Sequence, residues 1–180
     1  MGKQQDNRTF VYWINGNDRI IFVNDEWLSF ARENGVPELS ADAVLYKPLW
    51  SFIADRETRH LYEILLAKVR STGSSLQIPF RCDSPDCRRF MELKISSLSE
   101  ECVEFKGRVL RQEFREQMKL LDMSVDRSGE FLQICSWCKR VNLPESSWVE
   151  AEEAIRALDL FGSYKLPQLT HGVCPLAMKK

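Results

Sequence analysis

The sequence predicts an α+β protein: a five-stranded antiparallel sheet with helices on one face, followed by a small C-terminal module built around one helix. Three observations carry this. The patterned segments run in the order two strands, several short helices, one long helix and three strands. Residues 90–95 alternate apolar and polar with period two, the mark of a strand with one wet face. Past residue 130 the pattern changes to a C-x-x-C pair and, much later, an H-x-x-C pair, both at metal-ligand spacing.

The elements follow in order. "TFVYWIN" and "RIIFVN" are β-branched and aromatic runs bracketing the turn cluster Gly16, Asn17 and Asp18, which predicts a β-hairpin. In "DEWLSFARENG" Trp27, Phe30 and Ala31 recur at helical spacing and Gly35 supplies a stop. "KPLWSFI" reads as a turn into a brief buried segment. From Asp55 to Ser71 a stripe of Leu61, Ile64, Leu65 and Val69 predicts the longest helix, with Arg56, Glu57, Glu63, Lys68 and Arg70 mostly off it. After "STGSS" come three strands, "LQIPFRC", "RRFMELKIS" and "CVEFKGRVL". A sheet with a helical middle connection holds those helices on one face and leaves room for a ligand pocket between the layers.

"RIIFVNDEWLSFA", "KPLWSFI", the long helix and the three closing strands together resemble a PAS domain over roughly residues 8–113. Asn24 stands where such domains carry an Asn or similar residue between the second strand and the first helix. The resemblance implies a sensor that takes a small ligand or a partner, and a homodimer through that domain. The whole chain also resembles a bacterial group of PAS-type proteins in which "FRCDSPDCRRFMELKI" is followed by a "CSWCK … HGxCP" tail. Tails in that group tend to read C-P-x-C, whereas this chain has Cys174-Pro175-Leu176-Ala177, so either His171 fills the fourth position or the site holds three protein ligands or none.

The domain organisation expected is 8–113 for the PAS-like domain, 114–129 for a connecting helix and linker, and 130–180 for a zinc-binding module. In "RQEFREQMKLLDM", Phe114, Met118 and Leu121 share helical spacing; such a helix either carries a signal out of the domain or folds back on the sheet. "SWVE" offers Ser147 as N-cap and Glu150 as capping-box partner for a helix running to about Leu160, with Trp148, Ala151, Ile155 and Leu158 on one face and Gly162 at its end.

Cys135 and Cys138 have the gap that turns two thiolates toward one ion, and His171 with Cys174 repeats it, with Gly172 allowing a tight turn. The 32 residues between Cys138 and His171 exceed the usual finger, but the helix accounts for much of the excess. Three thiolates and one imidazole make a tetrahedral set of the structural zinc type. Two rival readings stand beside zinc. One is a redox C-x-x-C, disfavoured because Val141, Asn142 and Pro144 do not open a helix after the pair; the other is unligated thiols. Haem attachment fails because Lys139 follows Cys138, and a zinc deaminase fails because the motif order is reversed and Val173 stands where the acid is needed. Cys82 and Cys87 flank a "DSPD" hairpin turn, with a second metal or redox pair as the minor alternative; Cys102 is read as a core residue, and His60 as a surface histidine on the long helix, with a haem-ligand reading as its minor alternative.

Composition bounds the function. A net charge of -1, from 25 Lys+Arg against 26 Asp+Glu, provides no overall pull toward nucleic acid. The absence of an apolar run long enough for a signal or a span predicts a cytoplasmic protein with no membrane partner. No phosphate loop, nucleophile elbow or histidine–acid pair stands out, so no enzyme is expected. The reading is a regulatory sensor with a zinc module and a protein signalling partner. Its alternatives are an adaptor binding protein or RNA through the zinc module, and a thiol/zinc redox sensor.

Overall fold

The computed structural model describes residues 6–99, 101–145, 147–162 and 164–178. It divides into two compact units, Met1–Phe80 with Phe90–Gln112, and Arg81–Arg89 with Glu113–Lys180. The sequence-drawn pieces 8–113, 114–129 and 130–180 are contiguous, whereas the 81–89 hairpin tip belongs to the second unit. Its backbone is tied there: Arg81 N–H donates to Trp137 O at 2.8 Å and Met118 N–H to Pro85 O at 2.9 Å.

The first unit contains β1 (Thr9–Ile14), β2 (Ile20–Val23), α1 (Asp25–Glu33), α2 (Ala41–Val44), a 3-10 turn at Leu49–Phe52, α3 (Arg56–Thr72), and the strands β3 (Leu76–Arg81), β4 (Cys87–Ser97) and β5 (Val103–Phe114). The sheet order is β2-β1-β5-β4-β3, with β1 antiparallel to both β2 and β5. This is the predicted α+β class with all five predicted strands. Pro79 falls in β3, an edge strand, where a missing N–H costs no ladder bond on the open side.

Local chemistry fixes the helix ends. Asn24 caps α1 by accepting from Trp27 N–H at 3.0 Å, while the same Oδ1 accepts from Val11 N–H at 2.9 Å and Nδ2 donates to Thr9 O at 2.7 Å. One side chain thus closes a strand and starts a helix. Asp55 caps α3 through Thr58 N–H at 2.7 Å, and Gly73 ends it in the left-handed region at φ 65°.

Alternation along β5 buries Val103 and Phe105 on one face, and these meet Ile14, Ile20, Leu93, Ile95, Val44, Leu49, Leu66 and Val69 in one core. The buried stripe of α3 is Thr58, Leu66 and Val69, with Ile64 52% exposed, so it is rotated from the expected Leu61–Ile64–Leu65–Val69 line. The rotation turns Tyr62 toward Phe105, whose ring also stacks on Tyr12 at 4.5 Å; Tyr62 lies at 6.0 Å. Burial pushes both phenols up, Tyr12 well above its usual value and Tyr62 to about 12.

The second unit contains β6 (Arg127–Cys135), β7 (Val141–Asn142), β8 (Trp148–Val149), α4 (Ala151–Ala157), β9 (Leu166–Gly172) and α5 (Pro175–Met178), with 3-10 turns at Lys119–Leu121 and Leu160–Gly162. Its sheet order is β8-β7-β6-β9, with β6 and β9 parallel. Two sequence expectations are corrected here. The segment 114–129 is not a connecting helix: β5 extends to Phe114, and the 3-10 turn buries Met118 and Leu120, not the expected stripe of Phe114, Met118 and Leu121. Nor does Ser147 cap a helix beginning at Trp148. Trp148 and Val149 pair with Asn142 and Val141 as strand, and the helix starts at Ala151 after Glu150 and ends at Ala157. Among the described residues, no helix is long and apolar enough to cross a membrane.

Candidate metal centre

β6 and β7 form a hairpin whose tip is the "CSWCKR" stretch. Cys135 N–H donates to Arg140 O at 2.7 Å and Lys139 N–H to Cys135 O at 3.0 Å, closing the loop. Lys139 takes the left-handed conformation at φ 60° that lets so short a loop reverse. The turn flexibility expected of Gly172 is not used: this residue ends β9 in extended conformation, and the positive φ of the knuckle belongs to Lys139.

The parallel register of β9 on β6 brings the second stretch to the same place. Cys135 lies opposite Gly172, and Ser136 N–H donates to Gly172 O at 2.8 Å. Cys174, two residues on, is thereby delivered to the hairpin tip. The Sγ atoms of Cys135, Cys138 and Cys174 all lie within 4.8 Å of one another, with Cys138 and Cys174 at 3.4 Å. Two thiolates on one tetrahedral zinc, each about 2.3 Å from the ion, stand about 3.8 Å apart. The cluster brackets that spacing, and 3.4 Å is far beyond the roughly 2.05 Å of a disulfide. All six cysteines are free thiols.

The hydrogen bonding favours negative charge at the centre. Cys135 Sγ accepts from the backbone N–H of Cys174 at 3.3 Å and of Cys138 at 3.5 Å. The Cys138 thiol donating to Cys135 holds the latter's pKa below the usual thiol range, and backbone N–H groups add to this against the opposing effect of burial. Cys138, as the donor of that pair, is pushed up. Cys135 and Cys174 are wholly buried and Cys138 is half-buried.

Of the four sequence-read ligands, the structure unites Cys135, Cys138 and Cys174, which form the one such group among the described residues. It does not bring His171 into that group. His171 is exposed on β9 opposite Ile134 and lines a cleft of about 380 Å³ with Asp83, Arg127, Lys139 and Leu169. The other candidates are placed as follows. His60 is a surface residue with its Nδ1 3.8 Å from Glu63. Cys82 and Cys87 flank a tight hairpin in which Ser84 N–H donates to Cys87 O at 2.8 Å, and burial pushes both thiols up. Cys102, expected in the core, is half-buried in the turn before β5.

Sequence reasoning missed a charged lattice around the knuckle. The Asp83 side chain is only 1% exposed; it pairs with Arg81 and, at 3.4 Å, with Arg115. Arg81 reaches Glu150 at 2.6 Å, while Arg88 and Arg115 both reach Glu152 Oε1 at 2.7 Å. Glu150 and Glu152 stand at the start of α4, so the lattice ties this helix to the 81–89 tip, and the Arg81 backbone ties the tip to Trp137 between the two knuckle cysteines.

No protein-family model matches the chain, and a search of curated proteins finds no match. Among solved structures, the chain is similar to the PAS domain of the Cronobacter turicensis RpfR quorum-sensing receptor in complex with C12:0, at 11% identity and a TM-score of 0.44, covering 59% of this chain and 98% of that one. It is also similar to a sensory box sensor histidine kinase from Vibrio cholerae (10% identity, TM-score 0.43, 58% and 83% covered) and to the PAS domain of Bordetella pertussis BvgS (18%, 0.41, 57% and 76%).

Proposed function

We propose that this chain is a non-enzymatic regulatory sensor whose first unit is a PAS-like domain receiving a small ligand or a partner, and whose second unit is organised by a zinc ion on Cys135, Cys138 and Cys174. The convergence of those three sulfurs carries the reading: a buried thiol group of this spacing, hydrogen-bonded by backbone N–H groups, is the donor set of a soft or borderline divalent ion. Zinc fits because it takes thiolates tetrahedrally and has no redox chemistry of its own. The unit buries an apolar cluster that includes Leu120, Leu132, Ile134, Val141 and Ala154, and metal binding at the hairpin tip would add to its folding free energy. The sensor role rests on the resemblance of residues 8–113 to PAS domains and on the helix-covered five-stranded sheet.

A second reading has its own observation. Tyr12 and Tyr62 both stack on Phe105 and their phenols are hydrogen-bonded to each other, filling the space between the sheet and α3, which favours a filled scaffold and an adaptor working through its surface. Native mass spectrometry of the full chain, purified without chelator, separates the two. The sensor reading predicts a homodimer carrying one zinc per chain and a small organic ligand. Zinc with no ligand would favour the adaptor, and a bare polypeptide mass would overturn the zinc reading.

A further inference from the structure

We infer, resting on the zinc reading above, that the ion keeps one coordination position for an exchangeable ligand from outside the chain, a small neutral donor of the water or imidazole class, and that His171 does not occupy it. Successive side chains of a strand point to opposite sides. Cys135 and Gly172 are register partners, as are Ile134 and His171. The face that carries Cys135 toward the cluster is therefore the face of Gly172, and His171 lies on the other with Ile134 and Leu169, all three lining the same cleft with Arg127 and Asp83. The histidine that spacing recruits as a ligand is turned away from the sulfurs by the strand that carries it.

Three thiolates form one triangular face of a tetrahedron, and the fourth direction points away from that face. Approach is graded by burial. Cys135 and Cys174 are fully enclosed, and Cys135 Sγ already accepts two backbone N–H groups, so the half-buried Cys138 marks the accessible side. A divalent ion with three thiolates carries a net charge of −1, and a neutral fourth donor adds no further negative charge to this enclosed site. Lys139, in the same loop, has its Nζ donating to Ser136 O at 3.1 Å. Three protein ligands with a fourth position open to exchange is the arrangement of reactive zinc sites, as distinct from closed structural ones.

The test is cobalt(II) substitution of the full-length protein, read by its visible absorption, in wild type and His171→Ala. The inference predicts thiolate-to-metal charge transfer and tetrahedral d–d bands that are the same in both proteins, with a saturable shift of the d–d bands in both when free imidazole is added. Changed bands in His171→Ala, with a wild type that does not respond to imidazole, would overturn the inference and assign the fourth position to His171. A wild type that takes up cobalt without thiolate charge transfer would sink the metal reading itself.

Discussion

Asp83→Asn removes one charge while keeping the shape of the side chain, at a site where the anion is almost fully buried. Asp83 is 1% exposed and faces two guanidiniums, Arg81 at 9% and Arg115 at 13% exposure. Removing one partner of a buried ion pair costs about 3–5 kcal/mol, because the remaining charge is left uncompensated in a poor solvent. Here the cost sits at the low end, about 3 kcal/mol, since Arg81 retains Glu150 and Arg115 retains Glu152. For a unit of this size each kcal/mol shifts the melting midpoint by about 4–8 °C, so the second unit's transition should fall by at least about 12 °C. Differential scanning calorimetry of the zinc-loaded protein resolves this if the two units melt separately, with hydrogen exchange at Trp137 and α4 reporting locally. A loss under about 0.5 kcal/mol, the scale of an exposed pair, would refute the claim that this lattice holds the unit together.

Phe105→Ala deletes a ring with no exposed surface that contacts Tyr12 and Tyr62, and should cost about 3–5 kcal/mol in a urea titration. Gly73→Ala tests backbone alone: a Cβ there meets nothing within 4 Å, so the expected loss of about 1 kcal/mol comes from the φ of 65°. Glu152 tests linkage. Burial raises its pKa, but its own backbone N–H, the hydrogen bond from Arg115 and the charge of Arg88 together lower it from 4.5. A depressed folded-state value means that the carboxylate stabilises the fold above the unfolded value and loses that contribution as pH falls through the folded one. The stability difference between wild type and Glu152→Gln should therefore be constant from neutral pH to about 5 and shrink below the ordinary carboxylate range, as read by denaturation at each pH.

The first unit was legible because its signals are local. Alternation in "RRFMELKIS" and the turn residues of "NGND" report strand faces and hairpins directly, and Asp55 and Gly73 mark the ends of α3 by their own chemistry. The second unit was read less well because its strands are set by partners distant in sequence. "LPQLTHG" has no clean alternation of its own, and becomes a strand by pairing with β6. Missing that strand hid which face His171 takes, so spacing alone counted it with the ligands. The apparent capping box at Ser147 and Glu150 failed for a similar reason: Trp148 and Val149 gain more from pairing with β7, and the Glu150 carboxylate is taken by Arg81 and Arg140. Apart from Arg81 with Asp83, the charged lattice joins residues 32 to 69 positions apart, a distance over which no periodicity speaks. The convergence of Cys135, Cys138 and Cys174 was legible because a two-residue gap in a tight turn brings two thiols toward one point.

The central claim is that Cys135, Cys138 and Cys174 hold one zinc ion, and the most direct measurement is a competition titration of zinc between the protein and a chromophoric chelator, for wild type and Cys174→Ser. One equivalent per chain bound tightly by wild type, with affinity reduced at least about 100-fold in the variant, is the predicted result, because a buried thiolate ligand is lost. Equal binding by the two proteins, or no zinc bound by wild type, would contradict the account.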